Sequence, residues 1–253
     1  MKAPNPIEIK ALTHPGQFRG AVELQKTIWG FDDVDILPER FFIVVTKIGG
    51  QVFGAYDGDR MVAFCTALPG LKRGDQTYLH SHMLGVLPEY RNRGLGRMLK
   101  LKQREEALAR GVRLIEWTFD PLELKNAHFN IESLGCIVRR YVRNQYGISS
   151  SRLQAGLPTD RCTAEWWIAT DWVESAVERR ERHRPPIVAC VSIPRDIARL
   201  KKEDPQAARA IQADAAVQFL ANFDKALAVV GFEQSATAGT YLFGEWTHAN
   251  RSN

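Results

Sequence analysis

Apolar positions change their spacing several times along this chain, and each change marks an element. Between Pro15 and Trp29, the residues Phe18, Val22, Leu24 and Ile28 recur near helical spacing with Gly30 as a stop, which predicts an amphipathic helix. Pro38 to Ile48 reads as a second helix ending at Gly49-Gly50, although its Phe-Phe-Ile-Val-Val centre also suits a strand. Gln51 to Tyr56 and Arg60 to Leu68 read as strands joined by Asp57-Gly58-Asp59, a strong hairpin signal. Thr77 to Val86 predicts another strand, Gly94 to Arg110 a helix closed by Gly111, and Val112 to Phe119 a strand. Leu122 to Leu134 then reads as a helix closed by Gly135, and Ile137 to Val142 as a strand. This order is a mixed α/β arrangement. The helical crossover makes the strands on either side of Gly94 to Arg110 parallel, so a mixed sheet is expected.

After Tyr146 the pattern weakens into a polar loop over 147–161, followed by a strand at Ala164 to Ala169 and a charged helix from Asp171 to about Arg182. Arg184-Pro185-Pro186 marks a boundary between domains at 1–183 and 184–253. The second stretch reads as β-α-β: strand Ile187 to Ile193, helix Pro205 to Val230 stopped at Gly231-Phe232, and strand Thr240 to Trp246. It is small, and is expected to pack on the first domain as an extension.

Composition changes this picture little. The 253 residues are 45% hydrophobic and 25% charged, the balance of an ordinary soluble globular protein. The beginning of the chain has no apolar signal core and no stretch approaches ~18 apolar residues, so no membrane association and a cytoplasmic location are expected. Cys65, Cys136, Cys162 and Cys190 stand far apart with no Cys-x-x-Cys pair, which argues against zinc and against a disulfide framework.

Charge matters more through its placement than its sum. The net +5 is modest, but basic residues gather at 91–102, 139–143 and 179–184. Such faces suit an anionic ligand; aromatic residues do not interleave with them, which leaves nucleic acid as the weaker alternative.

One of these runs carries the chemistry. In Val86-Leu-Pro-Glu-Tyr-Arg-Asn-Arg-Gly-Leu-Gly-Arg97 a strand ends, a tight basic loop follows and a helix begins. Unpaired N–H groups and the helix dipole at such a terminus favour a pyrophosphate, and glycine lets the backbone approach it. The third glycine of a dinucleotide fingerprint is missing, as is the Gly-Lys-Ser/Thr of a P-loop.

Arg91, Gly94 and Gly96 fit Arg/Gln-x-x-Gly-x-Gly/Ala, and this segment resembles the acyl-coenzyme A signature of the GNAT superfamily of N-acyltransferases. Further along, Asn126-Ala-His-Phe-Asn130 and Leu134-Gly-Cys136 resemble the family's next helix, with Cys136 where a phenylalanine is usual. The resemblance spans about Tyr78 to Val142. It implies a GNAT fold and an acyl-CoA co-substrate, acetyl-CoA or succinyl-CoA, with no metal. It further implies cofactor contacts from Leu84, Gly85, Val86, Arg91, Arg93, Gly94, Leu95, Gly96, Arg97 and Asn126. The acceptor it implies is a small-molecule amine, and a homodimer stays open. Trp117-Thr-Phe-Asp-Pro-Leu-Glu123, with Leu157-Pro-Thr-Asp-Arg161 before Trp166-Trp167, resembles a poorly characterised branch. Members of that branch accompany N-acylamino-acid racemases, which implies amino-acid acceptors.

Acyl transfer from a thioester needs a deprotonated amine, a donor for the oxyanion and a proton for the thiolate. His80 is the first candidate base. It stands where histone acetyltransferases of the superfamily carry a glutamate, and imidazole titrates near working pH. His82 shares its strand face by period two; the pair also suits a satisfied polar couple on a half-buried sheet. Glu116 is the second candidate base, or else an exposed residue of an alternating strand. Where the family often places a tyrosine as general acid the chain has Ile131, which leaves Tyr141, Tyr146, His128 or water. Asp160-Arg161 reads either as a clamp for an acceptor carboxylate or as an ion pair anchoring its loop. Trp117, Trp166 and Trp167 read as core. A non-catalytic acyl-CoA-binding module is the alternative from another class.

Overall fold

A computed structural model of the chain describes residues 6–72, 74–147 and 156–247. Contacts between residues divide it at Ile115/Glu116 into two units. The segment expected as an extension, 184–253, falls in the second unit together with 116–149. The division therefore does not coincide with the 183/184 boundary read from the prolines.

The first unit holds β1 (Glu8–Ala11), α1 (Pro15–Trp29), α2 (Glu39–Lys47), β2 (Gln51–Asp57), β3 (Arg60–Leu71), β4 (Thr77–Val86) and α3 (Leu95–Ala109). Strand order is β1-β2-β3-β4 with antiparallel neighbours. The Asp57-Gly58-Asp59 signal makes the expected hairpin, with Asp57 opposite Arg60 and Gly58 at φ +59°. Gln17 Oε1 accepts from the N–H groups of Thr13 and His14, which closes the start of α1, and Gly30 ends it in the left-handed region.

The ambiguous segment after Pro38 is helix. Phe42 and Val45, three apart, are its buried residues, and Phe42 lies 6.1 Å from Phe18 and 6.2 Å edge-on from Phe64. Burying a side chain of this size contributes about 1.5–3 kcal/mol, more than the tenths of a kcal/mol by which valine disfavours helix. β1 escaped the reading: four residues with one half-buried isoleucine leave no pattern to detect.

The second unit holds β5 (Ile115–Phe119, its first residue being the last of the first unit), α4 (Leu124–His128), β6 (Ile137–Val142), β7 (Arg161–Trp166) and α5 (Asp171–Val177). It continues with β8 (Ile187–Pro194), α6 (Ile197–Glu203), α7 (Pro205–Asp224), β9 (Leu227–Gln234) and β10 (Ala238–Glu245). Strand order is β5-β7-β6-β9-β10-β8. Phe219 of α7 centres an aromatic cluster with Tyr241 at 4.9 Å, Tyr141 at 5.4 Å and Phe243 at 5.5 Å.

Four expectations need correction here. The helix expected at 205–230 ends at Asp224, and 227–234 is a strand, so Gly231 sits within a strand opposite Leu242 instead of stopping a helix. The C-terminal stretch is accordingly β-α-α-β-β. The chain turns at Ala226, φ +60°, an alanine in a region where glycine would have been the visible signal. Likewise α5 ends at Val177, not near Arg182, with Arg179 at φ +58°. The expected helix 122–134 is α4 followed by a π-helical turn over Phe129–Ser133, in which Leu134 N donates to Phe129 O at 3.1 Å. The strand expected at 164–169 lies at 161–166, and much of the polar loop before it, 148–155, lies outside the described residues.

Candidate functional site

β4 is bulged. Thr66 pairs with Met83 and Ala67 with Ser81, so His82 is an extra residue with no partner across from it on β3. The bulge changes which face each residue takes. Ser81 faces α3, where Lys100 Nζ donates to its Oγ at 2.7 Å and Gln103 Oε1 lies 3.2 Å away. Gly85, which would share that face in a regular strand, faces α1 instead, and a side chain there would meet Trp29 and Ile28. His80 and His82 stay together, ring centroids 6.1 Å apart, with Phe41 of α2 5.8 Å from His82. Desolvation by this neighbourhood lowers the His82 pKa below the ordinary histidine value, favouring the neutral ring.

Beyond β4 the loop is organised by a residue that the sequence reading passed over. Tyr90 donates to Asp57 Oδ2 at 2.6 Å, which ties it to the β2–β3 hairpin. The Arg93 guanidinium lies over its ring at 4.9 Å and that of Arg60 at 5.8 Å, while Arg60 also pairs with Glu89 at 2.8 Å. The signal for it was an aromatic residue directly before the basic run. Arg91 Nε donates to Val86 O at 3.3 Å, so its guanidinium lies across the end of β4. Asn92 at φ +61° and Gly94 at φ +82° turn the backbone into α3.

The α3 N-terminus has the character of an anion site. Its N-cap, Gly94, offers no side chain; its first turn has no acidic residue and contains Gly96 and Arg97. Leu95 and Leu99 are buried and anchor the helix, leaving the 94–97 end to carry the positive pole. The residues present therefore fit a pyrophosphate. Leu84, Gly85, Val86, Arg91, Arg93, Gly94, Leu95, Gly96 and Arg97 form one continuous strand–loop–helix segment in the first unit, with His80 on the same strand.

Glu116 and Asn126 fall in the second unit. Glu116 is only 3% exposed, which removes the reading of an exposed strand residue, and its Oε2 accepts from Arg140 at 2.8 Å. β6 carries its own bulge: Val138 pairs with Ala164 and Arg140 with Thr163, leaving Arg139 extra. Arg139 pairs with Glu165, a second buried carboxylate that also accepts from Trp167 Nε1 at 3.2 Å. This face was not foreseen, since each glutamate was separated from its arginine by more than twenty residues. Asn126 is exposed on α4, next to buried Ala127.

The proton-donor candidates divide clearly. Ile131 is fully buried in the π turn. Tyr141 is buried and donates to Asp160 Oδ2 at 2.7 Å; desolvation and that hydrogen bond push its phenol far above the ordinary tyrosine value. Tyr146 is exposed, its hydroxyl 2.8 Å from that of Thr118, and His128 is exposed on α4. Asp160 also accepts from Asn144 N at 2.8 Å, and Arg161 donates to the Asp160 carbonyl rather than to its carboxylate. Asp160 thus anchors its loop. Trp166 is core, donating to Leu134 O, and Trp117 packs edge-on against it at 5.9 Å. Among the described residues no group of three His, Cys, Asp or Glu could hold a metal, and no helix is long and apolar enough to cross a membrane.

Residues 21–135 match the model of the acetyltransferase (GNAT) family. Among curated proteins none matches the chain. Among solved structures, NAA60 of Arabidopsis thaliana with a bisubstrate analogue is similar at TM-score 0.53 and 16% identity, covering 64% of this chain and 98% of its own. A GNAT-family acetyltransferase from Streptococcus pneumoniae is similar at TM-score 0.51 and 16% identity, over 63% of this chain and 98% of its own. The ribosomal-protein-S18-alanine N-acetyltransferase of Escherichia coli follows at TM-score 0.50 and 19% identity, over 64% and 94%. At these identities the likeness is one of fold, and it agrees with the family match. Over residues 21–135, then, the chain is similar to the acetyltransferase (GNAT) family, and its fold is of the same kind.

Proposed function

We propose that the protein transfers an acyl group, acetyl or succinyl, from acyl-CoA to the amine of a small acceptor such as an amino acid. The observation that carries this reading is the α3 N-terminus: uncapped by any side chain, free of acidic residues in its first turn, and bordered by Arg91, Arg93 and Arg97. Asn126 would add a cofactor contact from α4. The amine lone pair attacks the thioester carbonyl carbon, the C–S bond breaks as the oxyanion collapses, and the thiolate takes up a proton. His80 is assigned as the base that takes the ammonium proton, with Glu116 as the other candidate. The backbone at Leu84 to Val86 is assigned to the pantetheine arm and the carbonyl oxygen. The likeness to the racemase-associated branch supports amino-acid acceptors. Four free cysteines, three of them buried, suit a reducing cytoplasm.

The test is release of free thiol from acetyl-CoA and from succinyl-CoA across a panel of D- and L-amino acids. Turnover with at least one donor–acceptor pair is expected, reduced in His80→Ala. A second reading, a non-catalytic acyl-CoA-binding module, is favoured by buried Ile131 in place of a tyrosine and by the engagement of Tyr141 with Asp160. Retained CoA binding without turnover for any acceptor would establish that reading instead.

A further inference from the structure

We propose that Lys100 of α3 is a positioning residue for His80: it pins Ser81 on the α3 side of β4, which fixes the bulge at His82 and keeps the two imidazoles together on the side of α2. This rests on the assignment of His80 as the base of acyl transfer. All of these residues belong to the first unit.

The pairing of β4 with β3 leaves the place of the extra residue open. Leu79 pairs with Pro69 and Met83 with Thr66; between these pairs β4 has His80, Ser81 and His82, and β3 has only Ala67 and Leu68. Residues opposite each other across two strands share a face. With His82 as the extra residue, Ser81 stands opposite Ala67 and faces α3, while His80 stands opposite Leu68 on the other side. With either of the other two as the extra residue, His82 would stand opposite Ala67, turn to α3 and part from His80. Leu79 and Met83 keep their partners in every case, so burial of apolar side chains does not choose. Leu84, Gly85 and Val86 keep theirs as well.

The choice falls to polar contacts beneath the strand. Ser81 Oγ accepts from Lys100 Nζ at 2.7 Å and donates to Gln103 Oε1 at 3.2 Å, so both capacities of the hydroxyl are used on the α3 side. Gln51 Nε2 donates to the Gln103 carbonyl at 3.1 Å, which ties the same turn of α3 to β2. Lys100 is 3% exposed, Ser81 4% and Gln103 fully buried. A charged donor so deeply buried is costly to deprive of an acceptor, far more than one in water. Turning Ser81 away would remove that acceptor and force an imidazole into the space of a hydroxyl between Lys100 and Gln103. The buried lysine therefore selects the bulge at His82, and with it the direction in which His80 points.

The experiment uses the full-length wild type, Lys100→Met, Ser81→Thr and the double variant Lys100→Met/Ser81→Ala. It measures kcat and KM with acetyl-CoA and the acceptor that turns over in wild type, CoA affinity by titration calorimetry, and the contact between the His82 and Phe41 rings by NMR. Lys100→Met should lower kcat by about 10–100-fold, part of the ~10²–10⁴-fold that a placed base supplies. The KM for acetyl-CoA and the CoA affinity should stay as in wild type, because 83–86 keep their pairing, and the His82–Phe41 contact should be lost. Ser81→Thr keeps the hydroxyl and should behave as wild type. In a His80→Ala background Lys100→Met should lower kcat no further, because one residue acts through the other. If Lys100→Met does not fold, the double variant decides, since removing both partners leaves neither buried alone; the same losses are expected. A folded variant of either kind that keeps the ring contact, or that loses CoA affinity in step with kcat, would overturn the pin. Loss of the contact with kcat unchanged refutes His80 as the base instead. Wild-type protein without turnover refutes the acyl-transfer reading, and the ring contact then judges the pin alone.

Discussion

Gly85 invites a ligand-based explanation, since it lies in the strand assigned to the pantetheine arm, yet the structure gives it a packing reason. A Cβ on Gly85 would lie 2.6 Å from Trp29 Cη2 and 2.8 Å from Ile28 Cδ1. Ordinary carbon contacts are about 3.5–4.0 Å, so the indole would have to retreat by roughly 1 Å. It has little room: Trp29 stacks on Phe31 at 5.6 Å and meets Phe64 edge-on at 6.0 Å. Overpacking of this kind costs about 1–3 kcal/mol, and the stiffer unfolded chain of an alanine variant returns about 0.4–1 kcal/mol. Gly85→Ala should therefore destabilise by a net ~1–2 kcal/mol, lowering Tm by about 2–8 °C at this chain length. The partner is Trp29→Phe, whose smaller ring makes space. In urea or thermal unfolding, the double variant should be more stable than the sum of the two single effects allows. Additive effects, or a neutral Gly85→Ala, would refute the packing argument. CoA affinity that stays low in a stable double variant would assign the glycine to ligand approach.

His82 and Tyr141 set two further outcomes. Desolvation lowers the folded-state pKa of His82 from its ordinary value of about 6.5. Above that value both states are neutral there; as pH falls below it the unfolded chain takes up a proton that the folded chain resists, so stability falls until the lowered folded pKa is reached. Urea midpoints at pH 7.5 and pH 5 should accordingly differ less in His82→Gln than in wild type, and equal differences would rule the group out. Tyr141→Phe removes the donor to a buried carboxylate oxygen of Asp160 and should cost about 1–3 kcal/mol. It should leave kcat unchanged, because a phenol pushed so far up is a poor proton donor; a large loss of kcat without loss of stability would reinstate Tyr141 as the acid.

What was legible in the sequence was local. The hairpin at Asp57-Gly58-Asp59, the stops at Gly30 and Gly111 and the basic turn at Gly94 each announce themselves through residue types that need their own backbone geometry. Helix ends made by Arg179 and Ala226 in the left-handed region carry no such sign, so both helices were read too long and β9 was absorbed into one of them. The candidate site divides in the same way. The proposed anion-binding segment, 91–97, is a run of consecutive residues and could be proposed from the sequence. Side-chain pairing within each unit depends on residues far apart in sequence: Tyr90 with Asp57 in the first, and Glu116 with Arg140, Glu165 with Arg139 and Tyr141 with Asp160 in the second. Two bulges, at His82 and Arg139, then decide which face each residue takes, and nothing in the period-two pattern shows them.

Two arginines in one short loop, with Arg97 in the first turn of α3, repel one another, and a loop left to itself would spread them into solvent. Here Arg93 is drawn onto the Tyr90 ring, Tyr90 is fixed to Asp57 of the hairpin, and Arg91 is drawn to the Val86 carbonyl. Each contact is weak at an exposed position, on the order of 1 kcal/mol for cation–π. Together they hold the charges near α3 before any ligand arrives, so less ordering remains to be done on binding. The proposed anion site of the first unit is thus shaped by an aromatic residue and a hairpin aspartate, neither of which belongs to the glycine pattern that marks it.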